Sequence, residues 1–333
     1  MPSPSSAISR FDLSLAYGQF SLLANQKGFV GMQVLPAIPV GMQNASFKKL
    51  KVESLLTPIE STKRAPGAPY RASDYEWTTD SYLTNDHGVE EPLDDRMLKI
   101  YGGVFPAEQI AAQRAANRVA QDLENEIAAA VFNTSTWTGS ALTTAVSIAW
   151  NTAASAVPIT DIDGAIEKVI TSCGTSPNTL ILTDYALRKL KRTAQVQDLL
   201  KYSGKDDPKD LGAIAGLKAM FGLENVIVAK AIKNTAGEGA TPTLTRTWNT
   251  GYAMLCCVNG GNDLEDSRPS IGRTIMWTEE NAGLPGGESG ELAMIVEEYR
   301  MENIRGSRYR ARADWMVKIL HAEAGHLLTN CAT

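Results

Sequence analysis

The chain has 333 residues, 44% of them apolar, 21% charged and 7% aromatic, with a formal net charge of −5. That length allows one large buried core or two subdomains sharing it, and the mild acidity argues against a general nucleic-acid binder, which needs a strongly basic face. The four cysteines, Cys173, Cys256, Cys257 and Cys331, lack metal-site or disulfide-framework spacing, so buried thiols made in a reducing cytoplasm are expected.

The N-terminus lacks the basic flank and apolar stretch of a signal peptide. No apolar run approaches the roughly 20 residues needed to span a bilayer. A soluble, unexported protein without a membrane partner is expected.

In chain order, residues 1–45 carry Pro2, Pro4, Pro36 and Pro39 and no sustained helical period, which predicts an extended arm. Residues 46–100 alternate β-prone runs, Phe47–Leu56 and Tyr75–Leu83, around the turn-rich Ala65–Pro69, which predicts a long β-hairpin. Ordering each residue costs roughly 1–2 kcal/mol of backbone entropy, and an isolated hairpin is marginal in water. Burial against a neighbouring subunit is the simplest compensation; a small β-domain is the other reading.

Charge in the hairpin is segregated. Ser46–Arg71 holds Lys48, Lys49, Lys51, Lys63, Arg64 and Arg71 against Glu53 and Glu60. Asp74–Asp95 holds eight carboxylates, Glu90, Glu91, Asp94 and Asp95 among them, and no lysine or arginine. Cross-strand pairing within one hairpin would use these charges internally; subunit-to-subunit register would use them between copies.

Pro106 sits at a favourable first-turn position, and the Ala-rich 107–132 stretch places Ile110, Ala115, Val119, Leu123, Ile127 and Val131 near one face. A spine helix over 106–132, about 40 Å long, is predicted, with Arg114 and Arg118 on its solvated side. Residues 134–158, with Trp137 and Trp150, are expected as strands and loops, and Thr160 or Asp161 as the cap of a helix to about Ser172. Buried strands at Thr179–Leu182, Val226–Ala229 and Tyr252–Val258 alternate with helices at Asp184–Thr193 and Ile214–Phe221, predicting a mixed α/β subdomain. Lys201–Asp210 and Thr235–Thr241 are expected as loops.

Toward the C-terminus, Arg273–Thr278 and Leu292–Tyr299 flank the turn-rich Gly283–Gly290 and predict a hairpin. Arg308, Arg310 and Arg312 recur at period two and fall on one strand face. An ordinary solvated face, a subunit contact and a face turned toward DNA are the readings open to them.

No catalytic motif emerges. His321 and His326 are five residues apart, about 140° around a helix, and cannot share a face as a zinc-protease pair does. Asp161-Ile-Asp163-Gly164 is too short for a calcium loop, Gly204-Lys205 lacks the phosphate-loop pattern, and Gly286–Gly290 lacks nucleophile-elbow spacing. With three histidines, no triad can be argued. No enzyme activity, cofactor or metal is expected.

Arm, long hairpin, spine helix, α/β subdomain and closing strands follow one another in an order that resembles the tailed-bacteriophage major capsid proteins. The closest texture lies in Tyr101–Phe132 and Arg273–Leu320, with Ile275-Met-Trp277, Val296–Arg300 and Ala313–Ile319. The resemblance covers essentially the whole chain and rests on layout, since no short motif diagnoses the family. It implies an α+β, Hong Kong 97-like fold: N-terminal arm (1–45), E-loop (46–100), peripheral domain (101–154 and 266–333) and axial domain (155–265). It also implies self-assembly into hexamers and pentamers of an icosahedral head. Lys48, Lys49, Lys51, Lys63, Arg64, Arg71, Glu90, Glu91, Asp94, Asp95, Arg308, Arg310 and Arg312 become the candidate inter-subunit contacts. Implied partners are a separate scaffolding protein, a portal, a decoration protein and packaged DNA held without sequence specificity. An encapsulin-like shell with the same fold and an α/β hydrolase or ligand-binding protein are the alternatives.

Overall fold

The computed structural model describes residues 8–9, 28–58, 62–64, 66–70, 77–101, 107–202, 212–237, 239–261, 264, 268–278 and 294–332. The first half contains β1 (Ile8–Ser9), α1 (Gly31–Val34), β2 (Ala37–Val40), β3 (Asn44–Leu50), α2 (Val52–Leu56), β4 (Trp77–Leu83), β5 (Asn85–Asp94), α3 (Asp95–Tyr101), α4 (Ala107–Val131) and β6 (Thr143–Ala145). Then come α5 (Pro158–Cys173), β7 (Thr179–Thr183), α6 (Asp184–Leu190), α7 (Ala194–Tyr202), α8 (Gly212–Phe221), β8 (Asn225–Ala229), β9 (Ile232–Asn234) and β10 (Leu244–Arg246). The chain closes with β11 (Ala253–Cys256), β12 (Gly272–Trp277), β13 (Ile295–Met301), β14 (Gly306–Ile319) and β15 (Gly325–Thr329). Among the described residues no helix is long and apolar enough to cross a membrane.

The spine helix α4 has 25 residues, which at 1.5 Å per residue is about 37 Å. Ala115, Val119, Leu123, Ile127 and Val131 are buried as the periodicity predicts, but Ile110 is 38% exposed. Its alanines keep the helix thin enough to lie close on β5 and β14, against which it packs.

The first sheet runs β1-β13-β14-β12-β2, with β5 also on β14. Its centre is the 14-residue β14, whose burial alternates: Tyr309, Ala311 and Ala313 point into the core while Arg308, Arg310 and Arg312 are half-buried on the opposite face. The expected hairpin between 273–278 and 292–299 does not form. Both strands are antiparallel to β14, β12 opposite 315–319 and β13 opposite 306–312, so they run in the same direction and cannot pair as a hairpin. The turn-rich 283–290 between them lies outside the described residues.

The second sheet runs β6-β15-β11-β7-β8, with β7–β8 and β6–β15 parallel. β6 (143–145) and the C-terminal β15 (325–329) therefore belong to the sheet of the α/β subdomain. The boundaries drawn at 154/155 and 265/266 cut through that sheet. The physical reason is burial: Leu327 and Leu328, at 0% and 2% exposure, pair with Met254 and Ala253 of β11 and fill the core on opposite faces of the sheet.

α5 begins earlier than expected. Pro158 occupies the first turn, where its missing N–H costs nothing, and Val157 is the residue before it. Asp161, expected as a cap, instead accepts from the buried Trp150 indole at 3.0 Å. The helix ends at Gly174, whose φ of 71° is the left-handed conformation that suits glycine.

The largest correction concerns the N-terminal segment. Residues 28–40, placed in an arm by their prolines, are built into the body: Val34 and Leu35 are fully buried, and β2 pairs in parallel with β12. Gly28 starts this course with φ +80°, and a Cβ there would meet Lys230 Cβ at 2.5 Å. Most of residues 1–27 lie outside the described residues.

The expected long hairpin is real but shorter. β3 and β4 pair from Asn44↔Leu83 to Leu50↔Trp77, whereas the acidic 85–94 stretch leaves it as β5 and pairs with β14 along Gly306–Trp315.

Candidate subunit-contact surfaces

The β3–β4 hairpin is clamped to the body at its base. Phe47 and Tyr82 share its inner face, with ring centroids 6.4 Å apart, and bury against Ile275 and Leu320. Lys318 Nζ reaches Asp80 Oδ1 at 2.7 Å and Ser81 O at 3.1 Å, and Lys49 Nζ donates to Leu320 O. Burial opposes ionisation of Asp80, but the hydrogen bonds from Lys318 and the Ser81 amide outweigh it and hold the carboxyl below its ordinary range.

The outer face is different. Strand alternation that turns Phe47 and Tyr82 inward turns Lys48, Trp77 and Leu83 outward, with Trp77 and Leu83 each 52% exposed. Beyond β3, Lys51, Lys63 and Arg64 are exposed, and the Arg64 guanidinium lies 4.5 Å over the Tyr70 ring. α2 settles near the end of α5, where Leu56 approaches Gly174, yet Leu56 itself is 54% exposed. Arg71 lies outside the described residues.

A second surface lies where β5, α3 and the start of α4 meet. Leu93, Met97, Ile110 and Ile304 line a groove of about 440 Å³, flanked by Glu91, Asp94 and Arg114. Met97 and Ile100 are about half exposed. Charge reasoning missed these apolar groups. Their signal was present as Met97 and Ile100 three residues apart, just before the spine helix.

The remaining charged candidates are engaged within the subunit. Glu90 accepts from Tyr299 Oη at 2.6 Å and Arg308 at 2.7 Å, with Arg310 at 4.0 Å. Glu297 pairs with Arg310 and, at 3.1 Å, with Arg312. Burial raises both carboxyls, but these hydrogen bonds and the arginine charges win and hold Glu90 and Glu297 below the ordinary range. Glu91 faces the other way and pairs with Arg118 at 2.6 Å and Arg114 at 3.8 Å on the spine helix. Asp95 forms a two-point pair with Arg300 at 2.7 and 3.0 Å, and Asp94 accepts from the Arg96 amide.

Glu90, Glu91, Asp95, Arg308, Arg310 and Arg312, expected as contacts between copies, each have an intramolecular partner, because pairing of β5 and β13 with β14 brings them beside one. Lys49 likewise anchors its own hairpin. Among the described residues, Lys48, Lys51, Lys63 and Arg64 are exposed cations of the hairpin.

His326 bonds Thr144 Oγ1 at 2.9 Å and Ala141 O at 2.7 Å, so both ring nitrogens are engaged. Burial and nearby Lys49 push His321 down to about 4. All four cysteines are free and buried, as their apolar surroundings predict.

No protein-family profile matches the chain. The chain is 25% identical, over 304 residues spanning 90% of its length and 91% of the relative's, to the major capsid protein of Burkholderia phage BcepMu. Its structure matches a phage-related protein from Bordetella bronchiseptica with a TM-score of 0.69 at 21% identity, over 98% of each chain. It matches the capsid of Myoviridae phage XM1 at 0.53 and 8% identity, over 91% of this chain and 92% of that one. An encapsulin complex from Synechococcus elongatus gives 0.50 at 11% identity, over 90% and 86%. A near-full-length relative named as a phage major capsid protein, together with a fold shared with phage capsid chains, bears out the resemblance to the tailed-phage major capsid proteins.

Proposed function

We propose that this protein is the shell subunit of a tailed-phage head, acting by assembling with copies of itself into hexamers and pentamers around packaged DNA, and that it catalyses no reaction. The observation that carries the reading is the relative matched over nine-tenths of both chains. Two features of the subunit support it: the hairpin with exposed Trp77, Leu83, Lys48, Lys63 and Arg64, and the apolar groove at the foot of the spine helix.

In this reading the β3–β4 hairpin is the E-loop of a Hong Kong 97-like fold, the first sheet with α4 forms the peripheral region, and the second sheet forms the axial region. The hairpin lies over a neighbouring copy, and burial of its apolar groups there adds roughly 25 cal/mol per Å². Each rim ion pair adds only about 0.2–1 kcal/mol, yet it recurs at every interface of a closed shell. A scaffolding protein, a portal and a decoration protein complete the assembly.

Negative-stain electron microscopy and sedimentation velocity of the purified chain, over a range of salt and crowding, test this. Capsomers or closed shells are expected; persistent monomers under all conditions would overturn it. The encapsulin fold neighbour supports one competing shell reading. Nuclease-protected DNA inside particles from infected cells supports the phage head, whereas enclosed enzyme supports the nanocompartment.

A further inference from the structure

We propose that His87, Asp122 and Glu126 bind one divalent first-row transition-metal cation, such as Zn²⁺, and that this cation ties strand β5 to the spine helix. Each residue offers one ligand atom, and the three atoms lie within 4.8 Å of one another. Asp122 and Glu126 are four residues apart on α4 and so share a face. His87 comes from β5, the strand that follows the hairpin, with Nδ1 3.5 Å from Asp122 Oδ2.

Two of the three ligands are already held in orientation by one buried residue. The His87 ring stacks on Trp315, with centroids 3.9 Å apart and planes 9° apart. The indole N–H of the same Trp315 donates to Glu126 Oε2 at 2.7 Å, and a carboxylate has a second oxygen for a cation. Outer hydrogen bonds and packing of this kind fix ligands in metal sites.

Charge points the same way. Glu90, Glu91, Asp95 and Glu297 each pair with arginine. Among the described residues no lysine or arginine forms an ion pair with Asp122 or Glu126. One imidazole nitrogen with two carboxylate oxygens suits zinc, manganese or cobalt better than calcium, which favours all-oxygen sites, or the thiolate-seeking metals. Asp122 is 57% exposed, which leaves room for water in the remaining coordination positions.

The full chain, stripped with chelator and dialysed, would be titrated with ZnCl₂ by calorimetry and followed by thermal unfolding, with MgCl₂ as control. One zinc per chain is expected, with a rise in Tm of ~3–5 °C when zinc is about a hundredfold above its Kd. Asp122→Asn keeps the His87–Trp315 stack and is expected to weaken zinc at least tenfold while leaving the metal-free Tm unchanged; Glu126→Gln and His87→Gln test the other ligands. Absence of zinc binding, or affinity retained in the Asp122→Asn/Glu126→Gln double variant, would overturn the site and place any bound zinc elsewhere, at the thiols or the other histidines.

Discussion

Trp248 donates its indole N–H to Glu124 Oε1 at 2.6 Å, in the interior and across 124 residues of chain. The same carboxylate accepts the backbone N–H groups of Val30, at 3.1 Å, and Gly31, at 2.6 Å. One buried side chain on the spine helix thus fastens the N-terminal segment and the loop before β11. Burial raises the Glu124 carboxyl, and these three donors counter it.

Glu124→Ala would leave an indole and two amides buried without an acceptor. Each such group costs about 1–3 kcal/mol, so a loss of at least about 3 kcal/mol is expected in urea unfolding. Trp248→Phe, which removes one donor and keeps most of the packing, should cost less. Equal, small effects from both would refute the shared fastening.

Glu297→Ala removes the carboxylate that Arg310 and Arg312 share, and a loss of about 2–3 kcal/mol in monomer stability is expected. The acid side follows from the sign of the shifts. Glu90 and Glu297 are held below their unfolded values, so their contribution is present above the unfolded carboxylate range and is lost as pH falls through their folded values. Stability in acid should therefore depend less on pH in Glu297→Gln than in the parent chain.

The hairpin surface should behave in the opposite way. Trp77→Ser combined with Lys63→Glu and Arg64→Glu changes exposed groups, so monomer stability should move by no more than about 0.5 kcal/mol per site. Sedimentation velocity should nevertheless show loss of capsomers or shells. Parallel loss of folding and assembly would show that the hairpin serves its own subunit.

His321 gives a second, milder pH dependence. It is 8% exposed and its folded value is pushed down to about 4, first by burial and then by Lys49. The unfolded chain takes up a proton near pH 6.5 that the folded chain refuses, so stability is full above that pH and falls as pH drops toward 4. The whole window amounts to about 3 kcal/mol. His321→Gln should flatten it in unfolding curves measured between pH 7 and 4.

Gly28→Ala tests the course of the N-terminal segment. It places a methyl 2.5 Å from Lys230 Cβ at a φ of +80°, and a loss of about 1–3 kcal/mol is expected by thermal unfolding. Replacement of Gly67, which also has positive φ but has nothing within 4 Å of a built Cβ, should cost less.

The spine helix was legible because its determinants are local: an alanine-rich run with apolar residues at helical spacing sets both its length and its buried face. The period-two placement of Arg308, Arg310 and Arg312 was legible for the same reason, since strand alternation is a property of the backbone. Ile110 was misjudged because periodicity names a face but not how far the neighbouring elements extend to cover it.

Strand partners are non-local. Sequence by itself determined the α+β class, the helix, the hairpin, the buried thiols and a layout resembling capsid subunits. Only the tertiary structure decided that β14 stands between β12 and β13, that β5 leaves the hairpin, and that residues 28–40 lie in the core. Those choices depend on pairings across hundreds of residues, such as Ile38 beside Ile275 and Glu90 beside Arg310. They gave most of the predicted contact charges partners within the subunit and left Trp77, Leu83, Met97 and Ile100 exposed. A charge's partner is set by which strand lies next to it, and no local pattern encodes that neighbour.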